Sequence, residues 1–149
     1  MRTIYLDLCC LNRPFDDQHQ PRVRLEAEAV LGLVQLAKRG ELRLIGSEVL
    51  DLECSRTPDA DRRRKVEVFL GVAASKVEVS ARERQRGRDL EDMGFRAFDA
   101  LHVACAESGG AEALLTTDDR LRNRAVRHQD KIALRVENPA KWYSEVIAP

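Results

Sequence analysis

Three aspartates stand at positions where solvation alone does not explain a charged side chain. Asp99 lies within the apolar segment FDALHVA at positions 98–104, and Asp118 comes soon after the apolar pair at 114–115. Asp7 ends the run TIYL and is followed by the equally apolar run LCCL. Charged side chains are rarely enclosed by apolar residues unless something neutralises them. Acids directed into the interior of a protein therefore indicate a bound cation.

A fourth acid comes from the helix predicted after Ser47, which is a good N-cap residue. Glu53 lies near the end of this helix, where the helix dipole disfavours a negative charge, and it shares a face with Val49 and Leu50. Glu48 lies in the first turn, where an acid suits the dipole, so capping explains it more simply. Glu53 is the preferred site residue, and Glu48 stays open as its rival.

If Asp7, Glu53, Asp99 and Asp118 converge, their mutual repulsion raises some of their pKa values unless a cation neutralises them. Oxygen ligands without a cluster of histidine and cysteine favour Mg²⁺ or Mn²⁺ over zinc. The chemistry that fits is hydrolysis of a phosphodiester bond, in which a bound ion activates water and stabilises the leaving oxygen. The sequence shows no Ser-His-Asp or Cys-His pairing and no glycine loop for phosphate.

The elements that must position these acids alternate between strands and helices. Apolar or β-branched runs predict strands at 3–6, 42–45, 76–79, 114–115 and 132–136. Helical spacing of apolar residues and capping signals predict helices at 22–38, 48–54, 59–70, 80–92, 95–106, from about 118, and 140–147. Residues 12–18 read as a polar loop with a proline. The alternation predicts an α/β fold with a mostly parallel sheet covered on both faces.

Composition limits the classes of function. The 149 residues suit a single domain over 1–149, and 25 basic against 25 acidic residues give a net charge of +0, so a nucleic-acid footprint must be local. The four cysteines form no C-x-x-C pair, which disfavours a zinc site or a disulfide framework and suits a reduced, cytoplasmic setting. The first residues are too short an apolar run for a signal peptide, and no stretch is long enough to span a bilayer.

Four short motifs in the same order resemble those of PIN-domain proteins, over essentially the whole chain: IYLD at 4–7, residues 47–53, FDALHVA at 98–104, and LTTD at 115–118. Within that family the chain looks most like the VapC-like toxins of type II toxin–antitoxin systems. The resemblance implies a three-layer α/β/α sandwich and an endoribonuclease that depends on Mg²⁺ or Mn²⁺, commonly a homodimer inhibited by a cognate antitoxin. It also implies that Asp7, Glu53, Asp99 and Asp118 bind the metal and that Thr116 orients the last acid.

Several positions leave alternatives open. Leu8 stands where the family often has serine or threonine, which removes a hydroxyl from the site. Asp119 adjoins Asp118, and the Thr-x-Asp spacing favours Asp118 as the last acid. His102, one helical turn after Asp99, either faces the pocket or is packed and hydrogen-bonded, the commoner role for histidine.

Contacts with RNA are also open at this stage. Arg13 and Arg120 are candidates for phosphate contacts, and the basic run at 62–65 is either a solvated helix face or part of an RNA surface. Two other functions are compatible with parts of the sequence. A haloacid-dehalogenase-type phosphotransfer enzyme needs a second aspartate where Cys9 stands. A catalytically impaired PIN-like module that binds metal or RNA is compatible with Leu8.

Overall fold

The computed structural model describes residues 1–149, and its centre is a five-stranded sheet in the order β3-β2-β1-β4-β5 with every neighbouring pair parallel. The strands are β1 (Thr3–Leu6), β2 (Arg43–Ser47), β3 (Ser75–Val77), β4 (Ala113–Leu115) and β5 (Arg135–Glu137). The helices are α1 (Leu8–Asn12), α2 (Pro21–Lys38), α3 (Glu48–Ser55), α4 (Ala60–Leu70), α5 (Ala81–Asp92), α6 (Ala97–Ser108), α7 (Asp119–Arg127) and α8 (Pro139–Trp142). Short 3₁₀ turns occupy Arg13–Phe15 and Gln129–Lys131, and a π-helical turn, Tyr143–Ile147, extends α8.

The sheet is buried on both faces. Every residue of β4 has an exposure of 0%, and the last three residues of β1 are buried too. Such continuous apolar strands are typical of parallel sheets covered by helices on both sides. The chain moves outward from β1 through α2 to β2, and later returns from β3 through α6 to β4 on the other side. Right-handed crossovers in opposite directions place α2 and α6 on opposite faces, which gives the predicted three layers.

The order of the strands also locates the place where ligands bind in such sheets. The chain leaves β1 toward β2 but leaves its other neighbour, β4, toward β5, so the order reverses between β1 and β4. Open α/β sheets bind ligands beyond the carboxyl ends of their strands at such a switch point. Asp7 directly follows β1, and residues 116–118 directly follow β4. The topology therefore brings these two segments together at the switch point.

One predicted segment differs in the structure. The sequence predicts a polar loop over residues 12–18, but the chain after Asp7 is helical through α1 and continues in the 3₁₀ turn Arg13–Phe15. The Asp7 carboxylate caps α1 at its first N–H, while Leu8, Cys10 and Leu11 turn into the core. The apolar run LCCL is thus a short amphipathic helix, a reading that its helical spacing permits. The other predicted elements are present, with ends displaced by at most a few residues.

A buried ion pair ties the start of the chain to its end. Glu26, on α2, is only 1% exposed, and its carboxylate accepts hydrogen bonds from Arg13 at 2.8 Å and from Arg22 at 3.0 Å. Asn138, which caps α8, also donates to it. Buried carboxylates are tolerated when their charge is matched and their lone pairs are used.

No helix of the protein combines the length and apolarity that crossing a bilayer requires.

Candidate metal centre

An open pocket of about 370 Å³ lies at the carboxyl ends of β1 and β4. It is lined by Asp7, Leu8, Cys9, Asn12, Glu53, Asp99 and Asp118. The four acids come from four different places: the end of β1, the last turns of α3, the first turn of α6 and the cap of α7. The four acids that the sequence singles out therefore face one cavity.

Asp7 is the most deeply placed and the most firmly held of these acids. It is 7% exposed, and its Oδ1 accepts the backbone N–H of Leu8 at 2.8 Å. Its Oδ2 accepts the hydroxyl of Thr116 at 2.8 Å and faces the thiol of Cys9 at 3.3 Å. These donors fix the orientation of the carboxylate without neutralising its charge. Asp7 is thus pre-oriented toward the pocket even though Leu8 carries no hydroxyl.

Thr116 links the first acid to the last. Its hydroxyl donates to Asp7 and accepts the backbone N–H of Asp118 at 3.1 Å. The carboxylate of Asp118 itself accepts the N–H of Arg120 at 2.9 Å and so caps α7. Thr116 therefore contacts both the backbone of Asp118 and the side chain of Asp7. Its role in orienting the last acid stays a prediction.

The two adjacent aspartates that follow β4 have different environments. Asp118 lines the pocket, whereas the exposed carboxylate of Asp119 receives two hydrogen bonds from Arg22, at 2.7 and 2.8 Å. Arg22 holds the pKa of Asp119 below its usual range. A carboxylate already paired with a guanidinium is poorly suited to bind a metal ion. The geometry favours Asp118 over Asp119.

Glu53 and Glu48 are separated in the same way. Glu53 is half-buried and lines the pocket, whereas Glu48 is exposed in the first turn of α3 and is not part of the lining. Glu53 is contacted by the buried imidazole of His102, whose Nε2 lies 3.2 Å from its Oε1. Burial alone lowers the pKa of His102, but its hydrogen bond to Glu53 and the charge of Asp7 outweigh burial and raise that pKa. His102 is therefore both packed and in contact with the acid cluster.

Asp99 carries the electrostatic signature of the cluster. Burial, followed by the negative charges of Asp7 and Asp118, raises the pKa of its carboxyl group to about 6. None of the four acids forms an ion pair with a lysine or arginine, and the only basic group in reach is the imidazole of His102. Acids that repel one another with no lysine or arginine to neutralise them fit a divalent cation, and their oxygen atoms are the ligands that Mg²⁺ and Mn²⁺ prefer. Atoms of Asp7, Glu53 and His102 lie within 4.8 Å of one another, close enough to share an ion.

The basic residues around the pocket are unequally available. Arg13 is held by Glu26 and Asp16, and Arg62, in the basic run of α4, is also paired with Asp16. Arg120 is exposed next to Asp118 and has no acidic partner, because only its backbone N–H is used. A guanidinium without an acidic partner, on a residue two positions after Asp118, is available to an anionic ligand.

Sequence reasoning missed several residues that touch the site. Cys9 and Asn12 line the pocket from α1, and Tyr5 lies behind it with its hydroxyl 2.6 Å from Nδ1 of His102. A signal for Tyr5 was present, because alternate residues of a strand point to the same side and Tyr5 precedes Asp7 by two. Cys9 and Asn12 could have been found only by predicting α1, which places them beside the pocket and was not predicted from the sequence.

Comparison with known proteins adds evolutionary evidence. The family model for the PIN domain matches residues 4–127. Ribonuclease VapC35 of Mycobacterium tuberculosis, in the strains CDC 1551 and H37Rv, is 30% identical over 109 residues, which cover 69% of this chain and 81% of that protein.

Three solved structures share the fold. VapBC2 from Rickettsia felis bound to a DNA fragment from the promoter matches with a TM-score of 0.56 at 18% identity, over 91% of this chain and 98% of that one. DNA-bound VapBC from Salmonella typhimurium matches with a TM-score of 0.57 at 15% identity, over 93% of this chain and 99% of that one. VapBC-1 from nontypeable Haemophilus influenzae matches with a TM-score of 0.55 at 13% identity, over 92% of this chain and 98% of that one.

Proposed function

The chain belongs to the PIN-domain family, and we propose that it is a metal-dependent endoribonuclease, the toxin of a toxin–antitoxin pair. The observation that carries the proposal is the convergence of four carboxylates from four elements with no lysine or arginine to neutralise them. The relationship to Ribonuclease VapC35 supports RNA as the substrate, and the likeness to VapBC structures supports a cognate antitoxin. We further propose that the protein forms a homodimer and acts in the cytoplasm.

Asp7, Glu53, Asp99 and Asp118 would hold Mg²⁺ or Mn²⁺. When bound, such an ion activates water as a nucleophile and stabilises charge on the scissile phosphate. The protein supplies the positions of the carboxylates, since Thr116 fixes Asp7 and the capping of α7 fixes Asp118. The open pocket leaves room for a phosphate group beside these acids.

A catalytically impaired module is the second candidate, because the apolar side chain of Leu8 lines the pocket where the family often has a hydroxyl. Such a module would bind metal or RNA without cleaving it. Against this reading, both oxygens of Asp7 already have donors, from the N–H of Leu8 and the hydroxyl of Thr116. The organisation of the first acid therefore does not depend on a hydroxyl at position 8.

An RNA-cleavage assay separates these two functions. The purified protein is expected to cut single-stranded RNA internally with Mg²⁺ or Mn²⁺ and to lose all cleavage when EDTA removes the metal. Asp7→Ala serves as the inactive control, since it removes the most deeply placed acid. Binding of Mn²⁺ by calorimetry without cleavage of a broad RNA pool would instead support the impaired module. Cleavage that persists in EDTA would contradict both.

Arg120 is proposed to contact the RNA backbone at the rim of the pocket. Replacing it with alanine is expected to raise the KM for RNA by roughly three- to tenfold, with little change in kcat, and to reduce the salt dependence of binding by about one counterion. The matched control is Arg39→Ala, because Arg39 is also exposed and unpaired. Arg39 lies between α2 and β2, at the amino ends of the strands, whereas the pocket is at their carboxyl ends. Equal effects of the two substitutions would contradict a specific role for Arg120.

A further inference from the structure

A chain of hydrogen bonds runs through the core directly behind the acid cluster. The hydroxyl of Tyr5 lies 2.6 Å from Nδ1 of His102 and 2.7 Å from Oγ of Ser47, and Nε2 of His102 lies 3.2 Å from Glu53. Tyr5, Ser47 and His102 each have an exposure of 0%. The chain joins β1, β2, α3 and α6. Glu53 and Asp99 lie on α3 and α6, and Asp7 directly follows β1.

Donor counting gives this chain a direction. Ser47 Oγ accepts the backbone N–H of Leu50 at 3.0 Å, so its own proton is free to donate to the Tyr5 oxygen. The Tyr5 proton then points to Nδ1 of His102, which accepts it in the neutral imidazole. Glu53 is a carboxylate that only accepts, so the proton of the ring lies on Nε2. At a pH above the pKa of His102, where the imidazole is neutral, every donor in the chain has one acceptor.

This arrangement has two effects on the acid cluster. First, the N–H of His102 holds Oε1 of Glu53 in place from the interior side, while the side chain of Glu53 remains half-buried at the pocket. Second, Nε2 has no lone pair to offer an ion, although it lies only 3.8 Å from Oδ1 of Asp7. If the tautomer were reversed, Nε2 would become a nitrogen ligand beside two carboxylates.

We propose that Tyr5 and His102 are positioning residues of the metal site: the Tyr5 hydroxyl fixes the ring so that His102 holds Glu53 as a donor, which keeps nitrogen out of the site and makes it selective for cations that prefer oxygen. The inference rests on the metal site of the proposed function and does not require RNA cleavage. Groups that orient a metal ligand commonly contribute ten- to a hundredfold to metal affinity.

The test compares Mn²⁺, which favours carboxylates, with Ni²⁺, which imidazole suits. Calorimetry on the metal-free protein is expected to show Mn²⁺ bound about tenfold more weakly by Tyr5→Phe than by the wild type, with Ni²⁺ bound at least as tightly. The ratio of the two affinities therefore shifts by about tenfold. The control is Ser108→Ala, which loses a hydroxyl bonded to Glu83 at the far end of α6 from Asp99, and which should leave the ratio unchanged.

A second measurement needs no variant. Long-range proton–nitrogen NMR of the metal-free wild type in mildly alkaline buffer should show His102 as the Nε2–H tautomer, and the protein has only three histidines to assign. The proposal is overturned if His102 carries its proton on Nδ1, if the wild type binds no Mn²⁺, or if folded Tyr5→Phe keeps the wild-type ratio of affinities. Wild-type protein that binds Mn²⁺ with the expected tautomer but leaves RNA intact would refute the nuclease and leave this inference standing.

Discussion

Replacing Asp99 with asparagine is expected to abolish RNA cleavage and, at the same time, to make the metal-free protein more stable. The substitution keeps the shape of the side chain but removes a negative charge that faces Asp7 and Asp118. Loss of a metal-binding carboxylate should lower kcat/KM about a thousandfold or more, equivalent to ~4 kcal/mol of transition-state stabilisation. The opposite changes in activity and stability are what distinguish a functional acid from a structural one.

The gain in stability follows from the pKa of Asp99. The difference between the ordinary value of 3.8 and about 6 corresponds to roughly 3 kcal/mol, which partial exposure to solvent reduces to about 1–2 kcal/mol. Urea unfolding at neutral pH in EDTA measures the gain, and Asp119→Asn is the matched control because Asp119 is paired with Arg22 outside the pocket. Retained cleavage by Asp99→Asn, or loss of its fold, would remove Asp99 from the site.

The stability of the metal-free protein should also respond to pH and to metal through the same residue. Because the folded state raises the pKa of Asp99, the folded protein holds a proton that the unfolded chain has already released between about pH 4 and pH 6. The contribution of Asp99 to the free energy of unfolding therefore falls as the pH rises through this window. Mn²⁺ at about a hundred times its Kd should add ~2.7 kcal/mol above the window.

Urea titrations of wild type and Asp99→Asn at several pH values, with Mn²⁺ or EDTA, isolate this contribution as a difference. Acids with lowered pKa values, such as Asp119 beside Arg22, give the opposite pH dependence, but they are common to both proteins and cancel. In EDTA the wild type should lose about 1–2 kcal/mol relative to the variant across the window. A constant difference, or equal stabilisation of both proteins by Mn²⁺, would argue against a metal site at Asp99.

The layout of the fold was predictable because it depends on local patterns. Apolar strands alternate with amphipathic helices, and Ser47 accepts the N–H of Leu50 as the predicted N-cap. The four acids were recognisable for a related reason: each is a charge among apolar residues or at the end of an element. The resemblance to the PIN-domain family and the α/β/α sandwich are confirmed, whereas the metal-binding roles of the acids remain predictions.

What the sequence could not provide depends on contacts between distant segments. The availability of Arg13 is decided by Glu26, thirteen residues away, and that of Asp119 by Arg22 from another helix. The basic run of α4 was compatible with a solvated face or an RNA surface, yet Arg62 forms an ion pair with Asp16. Such pairings follow from the packing of helices, which no periodicity in the sequence encodes.

If the pocket holds the proposed metal, its four acids also predict an order in which the metal ion and RNA bind. Four carboxylates repel a polyanion, so we expect an RNA phosphate to bind poorly in the absence of a divalent ion. Binding of the ion and binding of RNA are then coupled, and each strengthens the other by the same factor. Metal affinity measured on the protein alone is consequently a lower limit to the affinity that operates on the RNA complex.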